Sequence, residues 1–195
     1  MVEVADKPAE GIEFYIPHKP VLRENAESNK TRIVYDASAR EHPSAPSLNE
    51  CLNPGPPLQN KLWDVLVRQR SYPVAVTGDL KKAFLQVRIK ASHRDALRLH
   101  WRKDEHSKLE TLRFTRALFG MTSSPYLLGG VVECHLETWE TRAPEVVTEL
   151  RKNLYVDDLL SGGVSGGSTI PQGACHRNIR EIGRASCRER VYVLV

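Results

Sequence analysis

The sequence predicts an α+β fold, an antiparallel sheet covered by helices on one face. Three observations carry this expectation. Tyr72 to Thr77 alternates, is rich in β-branched Val and ends in Gly78-Asp79, as a strand does. Tyr-Val-Asp-Asp-Leu-Leu at 155–160 reads as strand, turn and strand. Between them lie stretches of helical periodicity, each opened by a Pro-containing break.

Taken in order, the first fifty residues are loop-rich, with short apolar stretches at Phe14 to Ile16 and Arg32 to Tyr35 that fit short strands. After Pro-Gly-Pro-Pro, Leu58, Leu62, Val65, Leu66 and Gln69 fall at helical spacing with Lys61, Asp64 and Arg68 on other faces, so an amphipathic helix is expected. The strand at 72–77 follows, then a turn or short helical segment over Lys81 to Val87. Ala96 to Trp101 and Leu109 to Thr115 flank a charged loop and suggest a hairpin. Ser124-Pro125 opens a helix expected to reach about Arg142, with Ser capping free N–H groups and Pro fitting the first turn. A second helix is expected from Pro144 to about Lys152, before the strand, turn and strand of Asn153 to Gly162. SGGVSGGS at Ser161 to Ser168 has the composition of a flexible linker and lacks the G-K-[ST] of a phosphate loop.

Composition narrows the class. The chain has 195 residues, 41% hydrophobic and 27% charged, with 12 Gly and 12 Pro, which excludes collagen, coiled coil and disorder over the full length. That length suffices for one domain, or one and a half, with a real core. No apolar run is long enough for a membrane helix, and MVEVADKPAEG lacks the basic and apolar regions of a signal peptide. A cytosolic or nuclear location is therefore expected, not a secreted one. The net charge of +4 allows a polyanionic partner without demanding one. Cys51, Cys134, Cys175 and Cys187 are far apart, without C-x-x-C or Cys/His ligand spacing, which argues against zinc and against a disulfide framework. Ile182 to Val191, IGRASCRERV, matches a frame translation of a common sequencing adapter. Residues 182–195 are therefore set aside as an artefact, which leaves 25 basic and 23 acidic residues in the body.

Three acidic residues stand where a structural role explains them poorly: Asp79 at the end of an apolar strand, and Asp157 with Asp158 between hydrophobic neighbours. Adjacent like charges in an apolar hairpin call for a cation. Successive residues of a regular strand point to opposite faces, so both aspartates reach one site only if the chain turns at that dipeptide. Packed beside the first strand, the hairpin would face Asp79 and Asp157 to one point with Asp158 close by. Oxygen ligands of this kind suit Mg²⁺, and the outline is that of a two-metal phosphoryl-transfer site. The plainer alternative is that Asp157-Asp158 is a polar turn and Asp79 a helix cap.

TGDLKKAFLQV (77–87), FGMTSSPYLL (119–128) and YVDDLLSGG (155–163) resemble, in order and spacing, the three palm motifs of reverse transcriptases. IPHKPV (16–21), KTRIVYDASA (30–39) and SLNECLNPGPPLQ (47–59) look most like the Bel/Pao class of long-terminal-repeat retrotransposons. The resemblance covers roughly residues 12–165. It implies a fingers portion at 12–71 and a palm at 72–163, between an N-terminal disordered segment at 1–11 and a flexible tail at 164–181. By resemblance, Asp79 and Asp157 hold two Mg²⁺ (or Mn²⁺) ions that activate a primer 3′-hydroxyl and neutralise a triphosphate, and Asp158 supports them. Phe84 matches the steric gate under the sugar, Arg32 the fingers arginine that grips the dNTP, Lys30 a looser nucleotide-binding candidate, and Phe119 with Gly120 the floor of the nucleotide pocket. Phe84 as a core aromatic, Arg32 as a surface charge and Gly120 as a backbone requirement are the competing readings. Lys81, Lys82, Lys90 and Arg94 could follow a phosphate backbone or simply face solvent.

The implied activity is RNA-directed DNA polymerisation, a nucleotidyl transfer. The implied partners are an RNA or DNA template with primer, dNTP, and other parts of a parent polyprotein, in the cytoplasm within a virus-like particle or in the nucleus, with no membrane. Nothing after Gly163 resembles a thumb, connection or RNase H region, so weak primer-template binding and poor extension are expected. The alternatives are a catalytically inactive remnant that binds nucleic acid, or an unrelated metal-dependent phosphohydrolase.

Overall fold

The computed structural model describes residues 1–5, 11–23 and 30–163. The tail at 164–181, the linker composition beyond Gly163 and the adapter-like 182–195 lie outside the described residues. Within them the chain divides into two compact units that are not contiguous in sequence. The first takes Met1–Pro54 and Arg88–Ser124, and the second takes Gly55–Val87 and the chain from Pro125 onward.

In the first unit, strand β1 (Val2–Val4) pairs with a later strand, so the start of the expected disordered segment 1–11 is ordered sheet instead. Strands β2 (His18–Arg23) and β3 (Lys30–Tyr35) form an antiparallel pair. Phe14 to Ile16 makes only a bridge from Tyr15 to Arg98. Helix α1 (Leu48–Cys51) is a single turn, fixed by a capping box in which the Ser47 side chain accepts from Glu50 N and the Glu50 carboxylate accepts from Ser47 N. In the second unit, helix α2 (Leu62–Arg70) begins four residues later than the Leu58 pattern implies. Strand β4 (Val74–Asp79) and the one-turn helix α3 (Ala83–Gln86) follow.

The chain then returns to the first unit. A 3₁₀ segment (Ala91–Leu97) leads into β5 (Arg98–Trp101) and β6 (Glu110–Phe114), the expected hairpin, and β1 completes a sheet of order β1-β6-β5. Ile16, Leu48, Ile89, Leu97, Leu99 and Phe114 are buried here. The ion pairs of this sheet form a network: Arg113 and Arg94 bind Glu3, Arg113 and Arg98 bind Asp95, and Arg98 also binds Glu13.

Helix α4 (Ser124–Trp139) starts where expected, for a different reason. The buried Ser124 hydroxyl donates backward to the Leu118 carbonyl at 2.6 Å. Helix α5 (Pro144–Asn153) has Pro at its start, Glu145 in its first turn, and Arg151 and Lys152 in its last, as the helix dipole favours. Strands β7 (Leu154–Tyr155) and β8 (Asp158–Gly163) complete a second sheet of order β4-β8-β7. α2 and α5 lie against β8 and against each other. With the β2–β3 pair, the three small sheets among the described residues are all antiparallel, which agrees with the expected α+β class. Among the described residues, no helix is long and apolar enough to cross a membrane.

Candidate active site

Register places the carboxylates. In β4–β8, Gly78 stands opposite Leu159 and Asp79 opposite Asp158, while in β7–β8 Tyr155 stands opposite Asp158. A two-residue turn, Val156-Asp157, therefore joins β7 to β8. Asp158 rather than Asp157 is the strand partner of Asp79. Residues directly opposite across an antiparallel pair have Cβ atoms about 5 Å apart on one face, and like charges there are destabilising. Asp79 and Asp158 are exposed and Asp157 is half-buried. The Leu80 N–H donates to the Asp157 carbonyl at 2.8 Å, tying the turn to the end of β4 one residue past the sheet register.

Beneath this edge, Leu80, Val132, Leu136, Leu150, Leu154 and Leu159 line a small apolar pocket that Asp79 and Asp157 also border. Burial lifts the Asp157 carboxyl above the usual carboxylate range, and the negative charges of Asp158 and Asp79 push it the same way, against a lowering backbone hydrogen bond. Three carboxylates thus share one edge at a cost that a divalent cation would relieve. All the donors are hard oxygens, the set that Mg²⁺ or Mn²⁺ prefers. As the side chains stand, among the described residues no group of three or more His, Cys, Asp or Glu is drawn together tightly enough to hold a metal ion.

Two backbone positions flank this edge in the left-handed region without being glycine: Lys82 and Val156, both at φ 56°. For a β-branched residue such as Val156 this is a genuine outlier. Strain of this kind collects at functional sites, where surrounding structure over-determines it. Nothing in residue type marks Lys82 in the sequence. Val156 could have been found, because a two-residue hairpin needs positive φ at its first central position.

The remaining predicted residues are distributed as follows. Phe84 is in the second unit with the carboxylates and is buried at 7% exposure, the environment of a core aromatic. Arg32, Lys30, Phe119 and Gly120 are in the first unit. Arg32 is exposed on β3 opposite Val21, and Lys30 opens β3 opposite Arg23. Phe119 is 55% exposed. Gly120 has φ 83°, a conformation that only glycine adopts freely. Sequence reasoning missed Asn49, which holds this loop in place. Its amide donates to the Gly120 carbonyl and to the Ser38 hydroxyl, both at 2.9 Å, and its oxygen accepts from Thr122 N at 3.0 Å.

No known protein family and no curated protein matches the chain. Among solved structures, it is similar to the crystal structure of prototype foamy virus protease-reverse transcriptase, with a TM-score of 0.55 and 15% identity. The fold is reverse-transcriptase-like. The match covers 95% of this chain and 19% of that one, so the chain spans about a fifth of that protein's length.

Proposed function

We propose that the chain is the fingers and palm portion of an RNA-directed DNA polymerase, from a Bel/Pao-type long-terminal-repeat retrotransposon. Asp79, Asp157 and Asp158 form its nucleotidyl-transfer site. The observation that supports this most is the register that sets Asp79 opposite Asp158, with Asp157 raised beside them on a strained turn. An unrelated polar turn would not crowd three carboxylates onto one sheet edge.

In this reading Asp79 and Asp157 hold two Mg²⁺ (or Mn²⁺) ions and Asp158 supports them. The ions supply charge neutralisation at the triphosphate and activation of the primer 3′-oxygen. The chain's own contribution is placement. The Leu80–Asp157 hydrogen bond fixes the turn against β4, so drawing the carboxylates together asks for side-chain rotation and not for a new backbone path. The primer oxygen attacks the α-phosphorus of the dNTP in line, forming the new phosphodiester bond as the bond to pyrophosphate breaks. Arg32 and Lys30 are assigned to the triphosphate, Phe119 and Gly120 to the nucleotide floor, and Phe84 to the sugar gate, a role that requires its buried ring to border the nucleotide.

The test is primer extension on an RNA template with dNTPs and Mg²⁺, beside Mn²⁺ titration of the same protein. Asp79→Asn and Asp157→Asn should each lower extension by at least about a hundredfold, as loss of charge stabilisation at a reacting centre does, and each should weaken Mn²⁺ binding. Extension retained in either variant would refute the assignment.

A further inference from the structure

The second unit carries an exposed aromatic that its own packing does not explain. Helix α2 buries Val65 completely and ties Arg68 to the end of α5, where the Asn153 side-chain oxygen accepts from the Arg68 Nε at 3.3 Å. On the far side of the same helix stand Trp63, Val67 and Arg70, spaced i, i+4 and i+7 and all exposed. Trp63 is 70% exposed, more than any other large apolar side chain among the described residues, and Val67 is 46% exposed. At about 100° and 1.5 Å per residue, Trp63 and Arg70 lie about 40° and 60° to the same side of Val67, one about 6 Å toward the start of the helix and the other about 4.5 Å toward its end. Indole and guanidinium are the two halves of a cation–π contact, which needs the cation within about 6 Å of the ring centroid. About 10 Å of rise holds them apart within one helix.

A second, antiparallel copy of the same helix removes that separation. A two-fold axis beside Val67, perpendicular to both helices, lays Val67 on Val67 of the second copy. The same axis brings Trp63 of each copy and Arg70 of the other to one side of the seam, about 1.5 Å apart in height. We propose that the outer stripe of α2 is an isologous docking surface whose occupant is a second copy of this chain, with Val67 at its centre and two reciprocal Trp63–Arg70 contacts beside it. Tryptophan and arginine anchors around an apolar centre carry most of the binding energy in protein interfaces. An acidic partner would answer Arg70 alone and leave Trp63 and Val67 uncovered, whereas a second copy answers all three. Nine helical residues span only about 14 Å, short of the roughly 800 Å² per partner of a standard interface, so the dimer is weak and concentration-dependent. Nothing in this contact depends on the polymerase reading.

The experiment is sedimentation equilibrium of the full chain from about 5 to about 500 µM, the range in which a contact of this size is half-associated. The wild type should pass from monomer toward dimer across it. Trp63→Ala and Arg70→Glu should each weaken association by about tenfold or more, as loss of an interface anchor does. Arg70→Lys keeps a cation over the ring and should keep most of the affinity. Because the replaced side chains are exposed, each variant should melt with the wild type at concentrations where both are monomeric. Under mild oxidation Val67→Cys should cross-link to its own copy faster than Asp64→Cys, and faster than the background set by the exposed Cys51 and Cys134 of the wild type, because only position 67 meets itself on the axis. A wild type that stays monomeric throughout overturns the proposal. So does a dimer indifferent to Trp63→Ala and Arg70→Glu, or cross-linking of Val67→Cys no faster than that of Asp64→Cys. A parallel arm adds an RNA/DNA hybrid, or anionic phospholipid vesicles, to the monomeric chain and follows acrylamide quenching of Trp63 as the difference between the wild type and Trp63→Ala. Shielding of Trp63 by either ligand in a chain that does not self-associate assigns the stripe to that ligand and ends the dimer reading.

Discussion

Val156 holds a left-handed backbone that a β-branched side chain resists, and it does so immediately before the half-buried Asp157. Val156→Gly is expected to raise stability by about 1 kcal/mol, a strain of about 2 kcal/mol at the middle of the range for such a φ/ψ less about 1 kcal/mol for glycine's own entropy. The check is a urea midpoint that rises at constant slope, and a midpoint that falls would show the turn unstrained. Asp157 gives a related prediction with a definite sign. Its pKa is raised in the fold, so its contribution to stability is full below the unfolded value near 4 and is lost as pH climbs through the folded one. Asp157→Asn should match the wild type near pH 3 and exceed it at pH 7, the pattern of a residue kept for chemistry at the expense of folding. Equal stability at both pH values would show that the carboxylate is not crowded.

At the scale of elements, Gly162 separates what was legible in the sequence from what was not. SGGVSGGS has linker composition, yet Ser161, Gly162 and Gly163 are buried in β8 opposite Val76, Ala75 and Val74. A Cβ on Gly162 would meet Tyr72 Cβ at 2.4 Å, so glycine is there because a side chain from outside the sheet register occupies the space. Composition cannot report a neighbour some ninety positions away. Gly162→Ala should cost about 1–3 kcal/mol, the range for overpacking a filled site, read as a lowered denaturation midpoint. Where the signal was local, reading succeeded: the 98–114 hairpin, the start of α5 and the strand, turn and strand around Asp157-Asp158 follow from alternation and Pro placement. Where partners are distant it failed. β1 is a strand only because β6 pairs with it, and the pairing of Asp79 with Asp158 depends on register, which single-strand patterns do not fix. The Arg98 network is of this second kind. Arg98 is buried and held by Asp95 and Glu13, so Asp95→Ala should cost about 3 kcal/mol by stranding part of a buried charge. A cost under about 1 kcal/mol, the range of surface pairs, would mean that water screens the network.

For the whole molecule, the two units are stabilised by groups of opposite pH dependence. In the first, burial alone would raise the carboxyls of Glu3 and Asp95, but hydrogen bonds from Arg113, with Arg94 on Glu3 and Arg98 on Asp95, outweigh it and hold both below the usual range. Stability from a depressed carboxyl is complete above the unfolded value near 4 and disappears as pH falls through the folded one. In the second unit Asp157 acts in the reverse sense, and the exposed pair of Glu140 with Arg151 is too screened to offset it. Acid should therefore open the first unit before the second. Hydrogen exchange, corrected for intrinsic rates, should show amides of β5 and β6 losing protection at a higher pH than those of β4 and β8. Asp95→Asn should shrink that interval, because it removes one of the two titrating carboxylates while leaving the β5–β6 backbone pairing in place. If β4 and β8 opened first, or if both units opened together at every pH, the ion-pair network would not be what sets the acid limit of the first unit.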